Sequence, residues 1–367
     1  MRKLIVLGLM MILLGASQAL ARVSGVCSNC HTMHNSQNGA PVTEGVNPGL
    51  TKYDCVGCHS SSESSTTYQL GDSTVPVVLY TGGSAPSQYL AGGNFYWVKE
   101  GLGNTDGKIG DPKGHNVFLN EDDDFLTKAP GGQITCGTTS CHARLSRPAE
   151  GVSDPFIPDL EGRYGCRGCH LRPKHHALDH PNGNYDNVVG ESGGWYRFLS
   201  GHMGGQGRGV EGIEDNDWQA TVSSSDHNEY LGVTGAYTGV GGFGMGVNAM
   251  TAYCTGCHGF FHQQSDNPDG GSPWLRHPSD AVLPSSGEYA AYTTYNPLAP
   301  VARPSLSNTG PSATVTPGED MVMCLSCHRP HGSPYDDILR WDYSKCTVDN
   351  SSDCGCFVCH TKKGTFQ

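Results

Sequence analysis

The sequence predicts a chain of mostly coil with short helices and little regular secondary structure, organised around bound groups more than around an apolar core. Three observations predict this class. Glycine supplies 51 of the 367 residues, about twice the usual share. Pro, Ser, Thr, Asn and Asp crowd the segments between, and no long window carries the apolar periodicity of a helix. Finally, most of the 16 cysteines fall in one short repeated motif, which a disulfide scaffold would not require.

That motif is Cys-x-x-Cys-His. It occurs at 27–31 (CSNCH), 55–59 (CVGCH), 166–170 (CRGCH), 254–258 (CTGCH), 324–328 (CLSCH) and 356–360 (CFVCH). It is the attachment signature of c-type haem. Positions i, i+3 and i+4 share one face of a helical turn, so two thiols can meet the two vinyl groups of one porphyrin while the histidine reaches its iron. A seventh site, CGTTSCH at 136–142, keeps the terminal Cys-His with four residues between its cysteines. Zinc sites and disulfides would not need a histidine after every second cysteine.

Seven covalent haem c groups per chain are therefore expected. They would be held by Cys27 and Cys30, Cys55 and Cys58, Cys136 and Cys141, Cys166 and Cys169, Cys254 and Cys257, Cys324 and Cys327, and Cys356 and Cys359. The proximal ligands would be His31, His59, His142, His170, His258, His328 and His360. The fold class is a multihaem cytochrome c, mostly coil with short helices wrapped around a haem chain whose faces supply apolar surface. Two cysteines remain, Cys346 and Cys354, and an exported chain would pair them as a disulfide. A competing frame attaches haem through Cys354 and Cys359 and leaves Cys356 free.

Ten histidines lie outside the motifs: His34, His115, His175, His176, His180, His202, His227, His262, His277 and His331. They are the candidates for the sixth position on seven irons. His34 follows His31 by three residues, about one helical turn away on the same side of that haem. It cannot travel round to the opposite face, so it is placed to ligate a different iron. His331 after His328 and His262 after His258 repeat the arrangement. Iron held by two imidazoles has no open position for substrate, and it would carry electrons without activating small molecules.

Residues 1–21 read as a secretory signal peptide, with Arg2 and Lys3 before a short apolar run and Ala19-Leu20-Ala21 at its end. Residues 22–367 are then expected to form a single multihaem unit, because ligands drawn from distant segments tie it together. No later segment approaches the 18 uninterrupted apolar residues of a spanning helix, so no transmembrane segment is expected in the mature chain. Without Arg2 and Lys3 the chain has 21 basic residues against 35 acidic ones. That balance argues against nucleic-acid binding.

Several stretches resemble the OmcS-type outer-surface cytochromes of Geobacter. They are CSNCHTMHNS (27–36), GGNFYWVKE (92–100), KGHN (113–116), KAPGG (128–132), LRHP (275–278), CLSCHRPH (324–331) and CFVCHTKKG (356–364). The resemblance implies bis-histidine ligation, a continuous haem stack and assembly into haem-lined filaments. It implies that His34 ligates the iron at His328 of a neighbouring subunit in a homopolymer. It also implies six haems, so CRGCH at 166–170 is an addition. Where the family has histidines after the motifs at 55–59 and 136–142, this chain has SSSES and ARLSR. Distal ligands for those sites must come from elsewhere, with His175, His176 and His180 available.

The expected function is extracellular or cell-surface electron transfer, with other redox cytochromes and extracellular electron acceptors as partners. The alternatives are a soluble periplasmic electron shuttle and a multihaem oxidoreductase. The oxidoreductase would need an open or lysine-ligated haem, and no Cys-x-x-Cys-Lys motif occurs.

Overall fold

The computed structural model describes residues 23–45, 47–101, 111–118, 130, 145–146, 164–171, 173–176, 188–190, 195–201, 209–233, 248–258, 277–279, 281–307, 309–348 and 353–363. The expected signal peptide, Cys136, Cys141, His142, His180, His202 and His262 lie outside them.

Among the described residues regular structure is sparse. The α-helices are α1 (Cys55–Cys58), α2 (Tyr96–Gly101), α3 (Met250–Cys254) and α4 (Cys356–Cys359), none longer than six residues. Strands run two to four residues and pair as small ribbons, such as the hairpin Thr67–Leu70 with Ser73–Pro76 in register Tyr68↔Val75. The largest sheet has three antiparallel strands, Val188–Val189, Gly212–Ile213 and Glu229–Tyr230. Isolated two- or three-stranded units of this size are marginal in water. No helix among the described residues is long and apolar enough to cross a membrane.

Among the described residues three small apolar clusters take the place of a single core, and each packs on a Cys-x-x-Cys-His motif. Phe95, Val98, Leu79 and Phe118 pack with Val56 and Cys166. Met250, Tyr253, Met321 and Met323 pack with Cys254 and Leu325. Leu283, Tyr292, Tyr295 and Val301 pack with Val358 and Cys359. Apolar burial is thus distributed along the row of motifs, as expected of a glycine-rich chain folded on bound groups.

A buried ionic knot joins the middle of the chain. Arg303 donates from Nε to Glu229 at 3.0 Å and from a terminal nitrogen to Asp320 at 2.5 Å. It also donates to the carbonyls of Thr314 and Ser312, each at 2.8 Å. All three charged side chains are almost fully buried. Every guanidinium nitrogen is satisfied, which is what makes a buried cation tolerable.

Candidate haem-ligation sites

Each described motif folds as one turn. The backbone N–H of His31, His59, His170, His258, His328 and His360 donates to the carbonyl of its motif's first cysteine at 2.8–3.1 Å. The turns at 27–31, 324–328 and 356–360 begin on the 3-10 turns Cys27–Asn29 and Cys324–Ser326 and on α4, and the turn at 254–258 continues from the last residue of α3. A fifth is α1, which Asp54 caps by accepting from Gly57 N at 2.6 Å. The sixth is the 3-10 turn Gly165–Gly168. Both thiols and the imidazole therefore emerge on one face, as porphyrin attachment needs.

Hydrogen bonds at Nδ1 orient these imidazoles. The acceptors are the carbonyls of Gly49 for His31 (3.0 Å), Pro76 for His59 (2.9 Å), Arg197 for His170 (2.8 Å), Pro130 for His258 (2.8 Å) and Asp337 for His328 (2.8 Å). His360 instead meets a carboxylate, Glu288 Oε1, at 3.1 Å. A proton held at Nδ1 fixes the tautomer and leaves Nε2 with a free lone pair for a metal. Three of the acceptor residues have left-handed backbone: Gly49 (φ 72°), Arg197 (φ 46°) and Asp337 (φ 57°). For the two that are not glycine this conformation costs on the order of 1–3 kcal/mol. It occurs where a carbonyl must turn toward a ligand.

Five of these histidines face a second histidine. Ring centres lie 5.9 Å apart for His31–His176, 6.1 Å for His59–His175, 6.1 Å for His170–His331, 6.0 Å for His258–His115 and 6.3 Å for His360–His277. Two metal–imidazole bonds of about 2.0–2.1 Å, plus half a ring on each side, sum to roughly 6 Å. The spacing is too wide for packed rings and matches one metal atom between them, so the residues fit haem iron. Burial supports the fit, because a ligand imidazole must be neutral. It pushes His331 down to about 3 and, together with nearby His115, His258 down to about 4. His59, His115, His170 and His175 are lowered for the same first reason. Nδ1 of His331 is buried without a partner, and a Cβ added at Gly92 would lie 3.0 Å from it. That glycine is what lets the backbone approach the ring so closely.

Other candidates are placed differently. His227 is fully buried, stacked on Tyr295 with ring centres 3.5 Å apart, while Nδ1 faces the Ser223 carbonyl at 3.3 Å and Nε2 faces Glu229 at 3.8 Å. These contacts pack His227 against the ionic knot, with no facing histidine among the described residues. His34 is exposed, with left-handed backbone at itself and Asn35 (φ 58° and 55°), and it has no hydrogen bond or ring partner among the described residues. His328 has its Nδ1 partner but no facing histidine among the described residues. Cys346 and Cys354 form a disulfide, and Cys356 and Cys359 bracket α4. The Cys356 sulfur lies within 4.8 Å of both disulfide sulfurs.

The sites also abut in chain order. His175 and His176 are adjacent residues and face the first two motifs. Burial, with Cys30 close by, raises Cys58 to about 11. The Cys166 thiol hydrogen-bonds Cys55 and brings it down to about 7, linking the second motif to the third. The Tyr253 hydroxyl donates to the Cys169 carbonyl at 2.6 Å, and Cys324 N donates to Thr251 Oγ1 at 3.4 Å. Burial, then Cys356 and Cys359, raise Cys327 to about 12. The six described motifs thus form one unbroken row.

Sequence reasoning missed Glu288, the strained carbonyls at Arg197 and Asp337, and the Gly92 contact. Only the glycine pair in GGNFYWVKE carried a signal, a close backbone approach.

Repeated one-turn Cys-x-x-Cys-His sites, backed by facing imidazoles on a chain of coil and short helices, define a multihaem c-type cytochrome. The doubled CXXCH motif family matches residues 316–365. The chain is similar to the C-type cytochrome OmcS of Geobacter sulfurreducens, 27% identical over 400 aligned positions that cover 93% of this chain and 85% of that one. Among solved structures, it matches an outer membrane cytochrome S filament from the same organism with a TM-score of 0.49 and 21% identity, covering 91% of this chain and 88% of the other. A structure of OmcS nanowires matches with a TM-score of 0.44 and 21% identity, over 95% of each chain.

Proposed function

We propose that this chain is an extracellular or outer-surface electron carrier that binds seven haem c groups and joins copies of itself through His34. The observation that carries this reading is the set of five histidine pairs with ring centres 5.9–6.3 Å apart. Bound haem iron supplies a one-electron redox couple. The chain's residues do the rest. The cysteine pairs anchor each group, the facing imidazoles close both axial positions, and the apolar clusters exclude water from the row. With both positions closed, the sites suit electron transfer and offer no place for a substrate to bind iron. The contiguous motifs give electrons a path with no gap from the first described site to the last.

The homopolymer reading follows the OmcS resemblance and is supported by two complementary features. His34 projects into solvent on a pair of left-handed residues, beside Met33 at 75% exposure. His328 lacks a facing imidazole among the described residues. An exposed imidazole and a motif histidine with no facing imidazole among the described residues can complete each other between two copies.

The test is His34→Ala in the holoprotein. Negative-stain microscopy should show filaments for the parent and isolated particles for the variant, with one haem per chain turning high-spin. Unaltered assembly with a fully low-spin spectrum would refute the cross-ligation.

A further inference from the structure

We infer that Glu288 is a potential-setting residue that gives the haem site at 356–360 the lowest reduction potential of the described sites, with Lys363 partly opposing it. The inference deepens the electron-carrier reading and rests on it. Five described motif histidines donate from Nδ1 to neutral backbone carbonyls. His360 alone among the described ones donates to a carboxylate, Glu288 Oε1, at 3.1 Å. Glu288 sits on the 3-10 turn Gly287–Ala291, which packs directly on α4 and is pinned there by Thr361 Oγ1 donating to the Glu288 carbonyl. Tyr289 covers the edge of the His360 ring at 5.1 Å, and His277 faces its other side. The contact is thus built by 72 residues of sequence separation and local packing, and is not a chance surface pair.

A carboxylate acceptor draws the Nδ1 proton more strongly than a carbonyl does. The imidazole becomes a better electron donor, which favours the oxidised metal over the reduced one. Lys363 Nζ donates to the same Oε1 at 3.1 Å and withdraws part of that negative charge. The two side chains therefore act with opposite sign on one site. None of the other five described motifs has such a pair on its proximal ring.

Spectroelectrochemical titration of the holoprotein and two variants tests this. Glu288→Gln keeps an acceptor oxygen but removes its charge. It should move about one seventh of the haem absorbance to higher potential, by about tenfold in the reduction equilibrium, or about 59 mV for one electron. Lys363→Gln should move the same fraction to lower potential. The Glu288→Gln shift should persist at about 1 M salt, where exposed charges are screened beyond about 3 Å. Unchanged curves, shifts of the same sign, or a shift that collapses with salt would overturn the inference. Should Glu288→Gln lose its haem, Lys363→Gln alone decides, because its exposed side chain is not needed for packing. A parent protein with too few haems or a high-spin spectrum would instead overturn the electron-carrier reading itself.

Discussion

Replacing His331 by alanine separates the ligand histidines from the merely buried ones. The His331 ring faces His170 with centres 6.1 Å apart, packs on Phe95 at 4.8 Å, and has no hydrogen-bond partner at Nδ1. Burial lowers its pKa to about 3, so the imidazole is neutral, as a metal ligand must be. If His331 and His170 share an iron, His331→Ala would remove one of its two imidazoles. With seven motif histidines in the chain, about one seventh of the iron should become high-spin and bind carbon monoxide. The lost ring also leaves a cavity worth on the order of 2–3 kcal/mol, by analogy with large-to-small core changes. His227→Ala is the control. It removes a buried ring that is stacked on Tyr295, so it should lower stability while leaving all iron low-spin. The assay is electron paramagnetic resonance of the oxidised protein with carbon monoxide difference spectra of the reduced one. A fully low-spin, carbon monoxide-inert His331→Ala protein, or a high-spin His227→Ala protein, would refute the reasoning.

Two further outcomes are expected. Arg303→Met strands Glu229 and Asp320 as unpaired buried charges, so it should cost about 3–5 kcal/mol in chemical denaturation; a change within experimental error would contradict the buried knot. The turn at 215–219 should loosen as pH rises from about 4 to about 7. Burial, then the hydrogen bond to Asp217, raise Asp215 to about 7, while its carboxylate accepts Gln219 N at 2.6 Å. The unfolded chain releases that proton near pH 4, so the stabilisation is full below that value and is lost as pH rises through about 7. Hydrogen exchange at Gln219 should quicken between pH 4 and pH 8 beyond its intrinsic rate, and Asp215→Asn should remove the effect.

The one-turn folding of the motifs was legible in the sequence because it is local. Five residues on one turn carry both thiols and the first imidazole, and the described motifs fold that way. The coil-rich fold was legible for the same kind of reason, since a glycine-rich chain without periodicity has no long element to form. The second imidazoles were not legible individually, because their pairing depends on the tertiary path. His277 faces His360 across 83 residues, and His115 faces His258 across 143. The adjacent residues His175 and His176 face two different motifs, which spacing along one helical turn could not indicate. His227 looked equal to the others in sequence, and only the burial of Glu229 and Arg303 beside it reveals a packing role. Glu288 was invisible for want of any motif around it.

Cryo-electron microscopy of the haem-loaded protein tests the central claim most directly. The account predicts a single metal atom between His31 and His176, His59 and His175, His170 and His331, His258 and His115, and His360 and His277, in one continuous row. An iron with water or an empty face at any of these pairs, or a break in the row, would contradict it.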